Sequence, residues 1–156
     1  MQLRIIASGR LKSGPERELI QRYTDRIRAS GPQIALGPLT ETEIDPKPFK
    51  SRSAESTALA AQIPDGSAVC LMDERGKALS SRDLSDALAR WRDDGIRDAC
   101  FVIGGADGLD RAAFGNPDLT MSFGKAVWPH MLVRAMLAEQ LYRAVSILSG
   151  SPYHRD

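Results

Sequence analysis

Three side chains at the end of the chain, Tyr153, His154 and Arg155, follow a Ser-Gly-Ser-Pro breaker at residues 149–152. Imidazole exchanges protons near neutral pH. Guanidinium holds anions through a planar fork of donors. A phenol ring stacks on a flat base or pins a peptide in place. A terminal peptide is ordinarily frayed and dispensable, so this concentration of chemistry calls for a reason. His130 is the only other histidine, so any imidazole chemistry falls to one of two residues. Glu139 and Arg143 stand four apart in an apolar stretch, where they can pair. If buried, each needs its partner.

Two glycine-containing segments could hold a ligand. IGGADGL ends an apolar run and places Gly104, Gly105 and Gly108 where a ligand could approach the backbone. Its spacing is not G-x-G-x-x-G, and no helix with a clean N-terminus follows, which argues against a Rossmann dinucleotide site and a P-loop. SFGKAVWPH carries Phe123, Gly124, Lys125, Ala126, Val127, Trp128 and His130 into a long helix. Both segments also read as an ordinary glycine turn and a packed tryptophan.

The elements that must position these residues alternate along the chain. QLRIIAS reads as a strand, and residues 15–30 as a helix with Pro15 in its first turn and Gly31 to cap it. QIALGPLTE reads as a strand that Pro38 confines to an edge. Residues 52–63 look helical. SAVCLMD and DACFVIGG are apolar runs bounded by turns, as strands buried on both faces are. DERGKAL reads as a loop and Ser81 as the cap of a helix bearing Leu84, Leu88 and Trp91 on one face. DLTMSFG reads as a short strand, and residues 131–149 as a helix apolar nearly all round. This pattern predicts one α/β domain over residues 1–156, with a parallel sheet flanked by helices. A helix apolar on every side is buried on every side, so part of residues 131–149 is expected to meet another subunit.

Composition narrows the class. The chain has 156 residues, 26% of them charged, and a net charge of +1, which does not mark a strong binder of free nucleic acid. The first thirty residues nevertheless carry seven Lys or Arg against three acids, and Arg4, Arg10, Lys12, Arg22 and Arg26 are candidate phosphate contacts. Cys70 and Cys100 each sit in an apolar run and read as buried thiols, not a disulfide or metal site. No apolar run reaches the length needed to span a bilayer, and the opening MQLRIIASGR is too short and too charged for a signal peptide, so the expected setting is cytoplasmic.

A set of residues spread along the whole chain resembles one family. It runs through Leu71-Met72-Asp73 with Gly76-Lys77, Arg90-Trp91 and Gly95, then Ile103-Gly104-Gly105 with Gly108-Leu109. It continues through Ser122, Pro129-His130, Val133-Arg134, Glu139-Gln140-Leu141-Tyr142-Arg143-Ala144 and the closing Pro152-Tyr153-His154-Arg155. In these the chain resembles the ribosomal RNA large subunit methyltransferase H family, of the SPOUT class. The LYRA stretch together with PYHR is the specific part.

The resemblance implies a C-terminal trefoil knot, which no local pattern foretells and which chain topology disfavours. It implies a homodimer that transfers a methyl group from S-adenosyl-L-methionine to N3 of a pseudouridine, in helix 69 of 23S rRNA, within the assembled 70S ribosome. No membrane and no metal enter. By position, the cofactor would be held by Met72, Gly104 and the run Phe123, Gly124, Lys125, Ala126, Val127, Trp128. His154, Arg155, Tyr153 and Arg143 would serve the reaction, with each tail completing the partner's site. Two residues depart from the family pattern: Val127 stands where Thr is frequent, and Ala106 where Pro or Ser is. Two other readings stay open at this stage, a ribosome-associated factor of the same fold without catalysis, and a flavodoxin-like nucleotide-binding module.

Overall fold

A computed structural model describes residues 1–155. Five strands form one sheet, every neighbouring pair parallel: β1 (Gln2–Ser8), β2 (Leu39–Ile44), β3 (Ala68–Ala78), β4 (Asp98–Ile103) and β5 (Leu119–Ser122), in the order β2-β1-β4-β3-β5. Four helices connect and cover them: α1 (Pro15–Ser30), α2 (Arg52–Ala60), α3 (Ser81–Asp93) and α4 (His130–Leu148). This is the α/β architecture that the alternating pattern predicts, with β2 at an edge as Pro38 requires.

The strand alternation sorts the core into two layers. Leu3, Ile5 and Ala7 of β1, Cys70 of β3 and Phe101 of β4 face Ile20, Ile27, Leu84, Leu88, Leu137 and Leu141 of α1, α3 and α4. Ile6, Leu71, Cys100 and Val102 point the other way, onto Leu59 of α2 and Leu109. Strands covered on both faces have no polar side to show, which is why they read as continuous apolar runs. Both cysteines are free and buried, and burial pushes both thiols up from the ordinary value.

Three local expectations are corrected. DERGKA is not a loop: β3 runs on to Ala78, with a register shift between Met72 and Lys77 that lets Lys77 and Ala78 pair with Met121 and Ser122. Asp73 shapes the irregularity, its Oδ1 accepting from the Arg75 amide at 2.9 Å. Gly76 sits so close to β5 that a Cβ there would lie 2.6 Å from the Met121 backbone. The cap of α3 is Ser80, not Ser81; Ser80 accepts from the Asp83 amide while Asp83 accepts from the Ser80 amide. Ser81 instead donates to Gln140 of α4 at 2.8 Å. The strand expected from Gln33 begins only at Leu39, because residues 31–34 form a 3₁₀ turn, while Gly31 caps α1 as expected, in a right-handed conformation.

α4 is central to the packing. Its Arg134 is the largest fully buried side chain. The guanidinium pairs with Glu43 through Nη1, and Nη2 donates to the carbonyls of Gly9 at 2.9 Å and Ser8 at 3.3 Å. One buried arginine thus ties the start of α4 to the carboxyl end of β1 and to β2.

Candidate active site

The carboxyl ends of β3, β4 and β5 open into a cleft of about 340 Å3. Ligands of open parallel sheets bind at this end. Met72, Ile103, Leu109, Met121 and Val133 give it apolar walls, and residues 104–108, 122–124 and 126–128 complete the lining. A space of this size with apolar walls and a few convergent polar groups suits a small organic ligand.

Two loops shape the cleft. Residues 104–110 fold back on themselves, the Gly108 amide donating to the Gly105 carbonyl at 3.1 Å. A Cβ on Gly104 would fall 2.7 Å from the backbone of Gly108, so only glycine closes the turn. Neighbouring residues of α2 hold both ends: Glu55 accepts from the Gly105 amide at 3.0 Å, and Ser56 from the Asp110 amide at 2.8 Å. The second loop is closed by the Trp128 indole, whose N–H donates to the Phe123 carbonyl at 3.2 Å. Val127 and Trp128 are the exposed large apolar residues of the chain, 82% and 41% exposed, and both stand on the cleft rim.

Of the residues singled out for a cofactor, Met72, Gly104, Phe123, Gly124, Ala126, Val127 and Trp128 line this cleft together, and Lys125 lies in the same loop outside the lining. The cleft lining mixes acids, Asp73, Glu74 and Asp107, with Arg52 and Arg75, and Arg75 is paired with Asp73 at 3.1 Å. Burial pushes the Asp73 carboxyl up, but hydrogen bonds from the Arg75 side chain and amide outweigh it and hold it below the ordinary carboxylate range. Asp73 therefore stays charged at neutral pH.

Of the residues singled out for catalysis, Arg143, Tyr153 and His154 gather elsewhere, around the second half of α4. Glu139 Oε1 accepts from Arg143 at 3.0 and 2.6 Å and from the Tyr153 hydroxyl at 3.0 Å. His154 Nδ1 lies 3.3 Å from Arg143 Nη1. Tyr153 meets Tyr142 edge-on at 4.7 Å. Arg155 is exposed. The Tyr153 hydroxyl is shifted up, first by burial and then by its hydrogen bonds to Tyr23 and Glu139, so it remains a phenol. None of these four residues lines the cleft of its own chain. Beside them, Leu19, Tyr23, Leu132, Ala135 and Met136 form a second, apolar depression on the α1–α4 face, and Phe123 lines both spaces.

Sequence reasoning missed several contributors. Glu55 and Ser56 act across about fifty residues of chain, and no local pattern announces them. His130, by contrast a candidate from SFGKAVWPH, lines the cleft as the first residue of α4. Among the phosphate candidates, Arg4 is paired with Asp98 at 2.6 Å near the amino ends of β1 and β4, away from the cleft. Among the described residues no cluster of three or more His, Cys, Asp or Glu could hold a metal ion, and no helix is long and apolar enough to cross a membrane.

The family model described as "Predicted SPOUT methyltransferase" matches residues 1–154. The chain is 60% identical over its whole length, and over the whole of the relative, to the ribosomal RNA large subunit methyltransferase H of Maricaulis maris (strain MCS10). It is 50% identical, across 99% of both chains, to the protein of that name from Ruegeria sp. (strain TM1040). The Paracoccus denitrificans (strain Pd 1222) protein of the same name is 50% identical with full coverage of both.

Proposed function

The chain belongs to the SPOUT methyltransferase family, alongside relatives named ribosomal RNA large subunit methyltransferase H, and from that premise we propose that it methylates N3 of a pseudouridine in helix 69 of 23S rRNA, using S-adenosyl-L-methionine, on the assembled 70S ribosome. The observation that carries this reading is the cleft at the ends of β3, β4 and β5, where the two glycine loops converge. Met72, Gly104, Phe123, Gly124, Ala126, Val127 and Trp128 would hold the cofactor, with Lys125 beside them. A flat adenine suits apolar walls and backbone edges. When bound, the cofactor supplies an activated methyl group at its sulfonium, so no metal is invoked.

The remaining chemistry belongs to side chains. N3 of the base carries a proton and attacks poorly until it is lost. His154 is placed in the role of acceptor, a contribution typically worth ~10²–10⁴-fold. Arg143, held rigid by Glu139, and Arg155 would stabilise the imide anion. Tyr153, kept as a phenol, would stack on the base or dock the tail. Because none of these groups lines the cleft of its own chain, the reading requires a homodimer in which each tail reaches the partner's cleft. The apolar depression on the α1–α4 face is the surface offered for that contact. The return of α4 against α1 and α3 after β5 has paired outside β3 supports a C-terminal trefoil knot. A ribosomal substrate would place the protein in the cytoplasm.

The test is methyl transfer from labelled S-adenosyl-L-methionine to 70S ribosomes lacking the modification, with mass mapping of the labelled nucleotide. Wild type is expected to label the pseudouridine at N3. Deleting residues 152–156 should leave the fold and cofactor affinity intact and abolish turnover. A wild-type protein that binds ribosomes without transferring methyl groups would refute catalysis, and normal turnover by the truncated chain would remove the tail from the reaction.

A further inference from the structure

Arg26 lies on the exposed face of α1, and its guanidinium is surrounded by three tyrosine rings from three parts of the chain. It stands 5.9 Å from the ring centre of Tyr23, 5.3 Å from Tyr142 of α4 and 5.8 Å from Tyr153 of the tail. The rings support each other, with Tyr23 and Tyr142 centres 5.9 Å apart. Each contact engages the flat π-surface attraction of the cation. Among the described residues, the Arg26 side chain makes no hydrogen bond and no ion pair. Arg143, also stacked on Tyr153 at 4.8 Å, differs here because Glu139 occupies its donors.

A guanidinium has five N–H donors around its edge. Stacking restrains the group without using that edge, so the entropy of ordering a long side chain is partly met before any ligand arrives. What such an edge fits is a planar or tetrahedral oxyanion, and the site in question is one that would receive RNA. Arg10, Lys12 and Arg22 are equally exposed, but no such cluster of rings restrains them. The geometry points to Arg26 as a phosphodiester anchor for the RNA strand that enters beside the tail, with Tyr23, Tyr142 and Tyr153 as its holder. This inference rests on the reading of the protein as one that acts on ribosomal RNA.

The experiment measures the dissociation constant for 70S ribosomes by co-sedimentation across a salt series, for wild type and Arg26→Met. Losing one phosphate contact should weaken binding about tenfold at moderate salt and reduce the slope of log K against log salt by about 0.7. The affinity for S-adenosyl-L-methionine, measured by calorimetry, should not change. A slope equal to that of wild type would overturn the assignment and reduce Arg26 to a staple of the tail. If Arg26→Met lowers the melting temperature, Arg26→Gln, equally neutral, carries the same slope test. The binding readout is independent of methyl transfer, so a catalytically silent wild type would refute the proposed activity while the slopes still decide on Arg26.

Discussion

Replacing Arg134 with Met should unfold the cleft's foundation before it touches any cleft residue. The side chain is fully buried, 0% exposed, and Met preserves much of its length without charge or donors. Four acceptors are affected: Glu43, which pairs with Nη1; the carbonyls of Ser8 and Gly9; and Glu41, whose Oε1 lies 4.0 Å from Nη1. Glu43 also accepts from the Leu11 amide at 2.9 Å, so the loop after β1 loses its organiser as well. Breaking a buried pair by removing one partner costs about 3–5 kcal/mol, because the other charge stays behind. Glu43 is 27% exposed and Glu41 keeps Arg17, so the lower part of that range, about 3–4 kcal/mol, is expected. At about 2–4 °C per kcal/mol for a chain of this size, the melting temperature should fall roughly 6–16 °C. Calorimetric melting at fixed protomer concentration measures it, since self-association would otherwise move the midpoint. A double-mutant cycle with Glu43→Gln separates charge from packing. If the ion pair is responsible, the double variant should be less unstable than the sum by at least about 1.5 kcal/mol. A cost below about 1 kcal/mol for Arg134→Met, or a coupling under about 0.5 kcal/mol, would refute the reasoning.

Gly104→Ala should raise the dissociation constant for S-adenosyl-L-methionine at least about tenfold in calorimetry, because its Cβ would stand 2.7 Å from backbone atoms of Gly108 that cannot swing aside. Unchanged affinity would mean that the loop's shape is irrelevant to the ligand. The upward shift of Tyr153 makes a second prediction. The folded state holds that proton more tightly than the unfolded state. Docking of the tail is therefore fully stabilised below the ordinary tyrosine range near 10 and weakens as pH rises through the higher folded value. Absorbance titration of the phenolates should show one late component that Tyr153→Phe removes, and a profile without it would contradict the buried contact with Glu139.

How much of this was readable in advance depended on how far apart the partners lie. β1, β4 and the first half of β3 were legible because Ile5, Ile6, Phe101, Val102, Cys70 and Leu71 are buried on alternating faces, and that leaves an unbroken apolar run. The second half of β3 was not, because Asp73, Glu74, Arg75 and Lys77 face solvent or the cleft and only two rungs with β5 keep that stretch in the sheet. The capping of α3 was off by one residue because Ser80 and Ser81 are chemically alike; Asp83, three beyond Ser80, is the feature that tells them apart. Arg134 is a charge in a largely apolar helix, but its partner Glu43 is 91 positions away and no spacing rule reaches that far. The same limit hid Glu55, Ser56 and the rings around Arg26.

The two groups of site residues bear on assembly in a way neither does alone. The cleft has apolar walls and a shaped glycine loop, but His130 is the one imidazole on it and no arginine of the tail reaches it. The tail cluster has an imidazole, two guanidinium groups and a phenol, but no enclosed space of its own. Between them lies α4, with Phe123 touching both the cleft and the apolar depression beside the tail. Under the proposed reading, a chain acting alone would have the cofactor in a cleft that its own tail does not line. A twofold pairing across the α1–α4 face would bring one chain's tail toward the other's cleft and cover the depression in the same step. Burial of apolar surface and completion of the chemistry then become one event, which is why the depression and the tail should fail together. A variant that keeps the chains apart, such as Met136→Glu, should bind S-adenosyl-L-methionine yet transfer nothing.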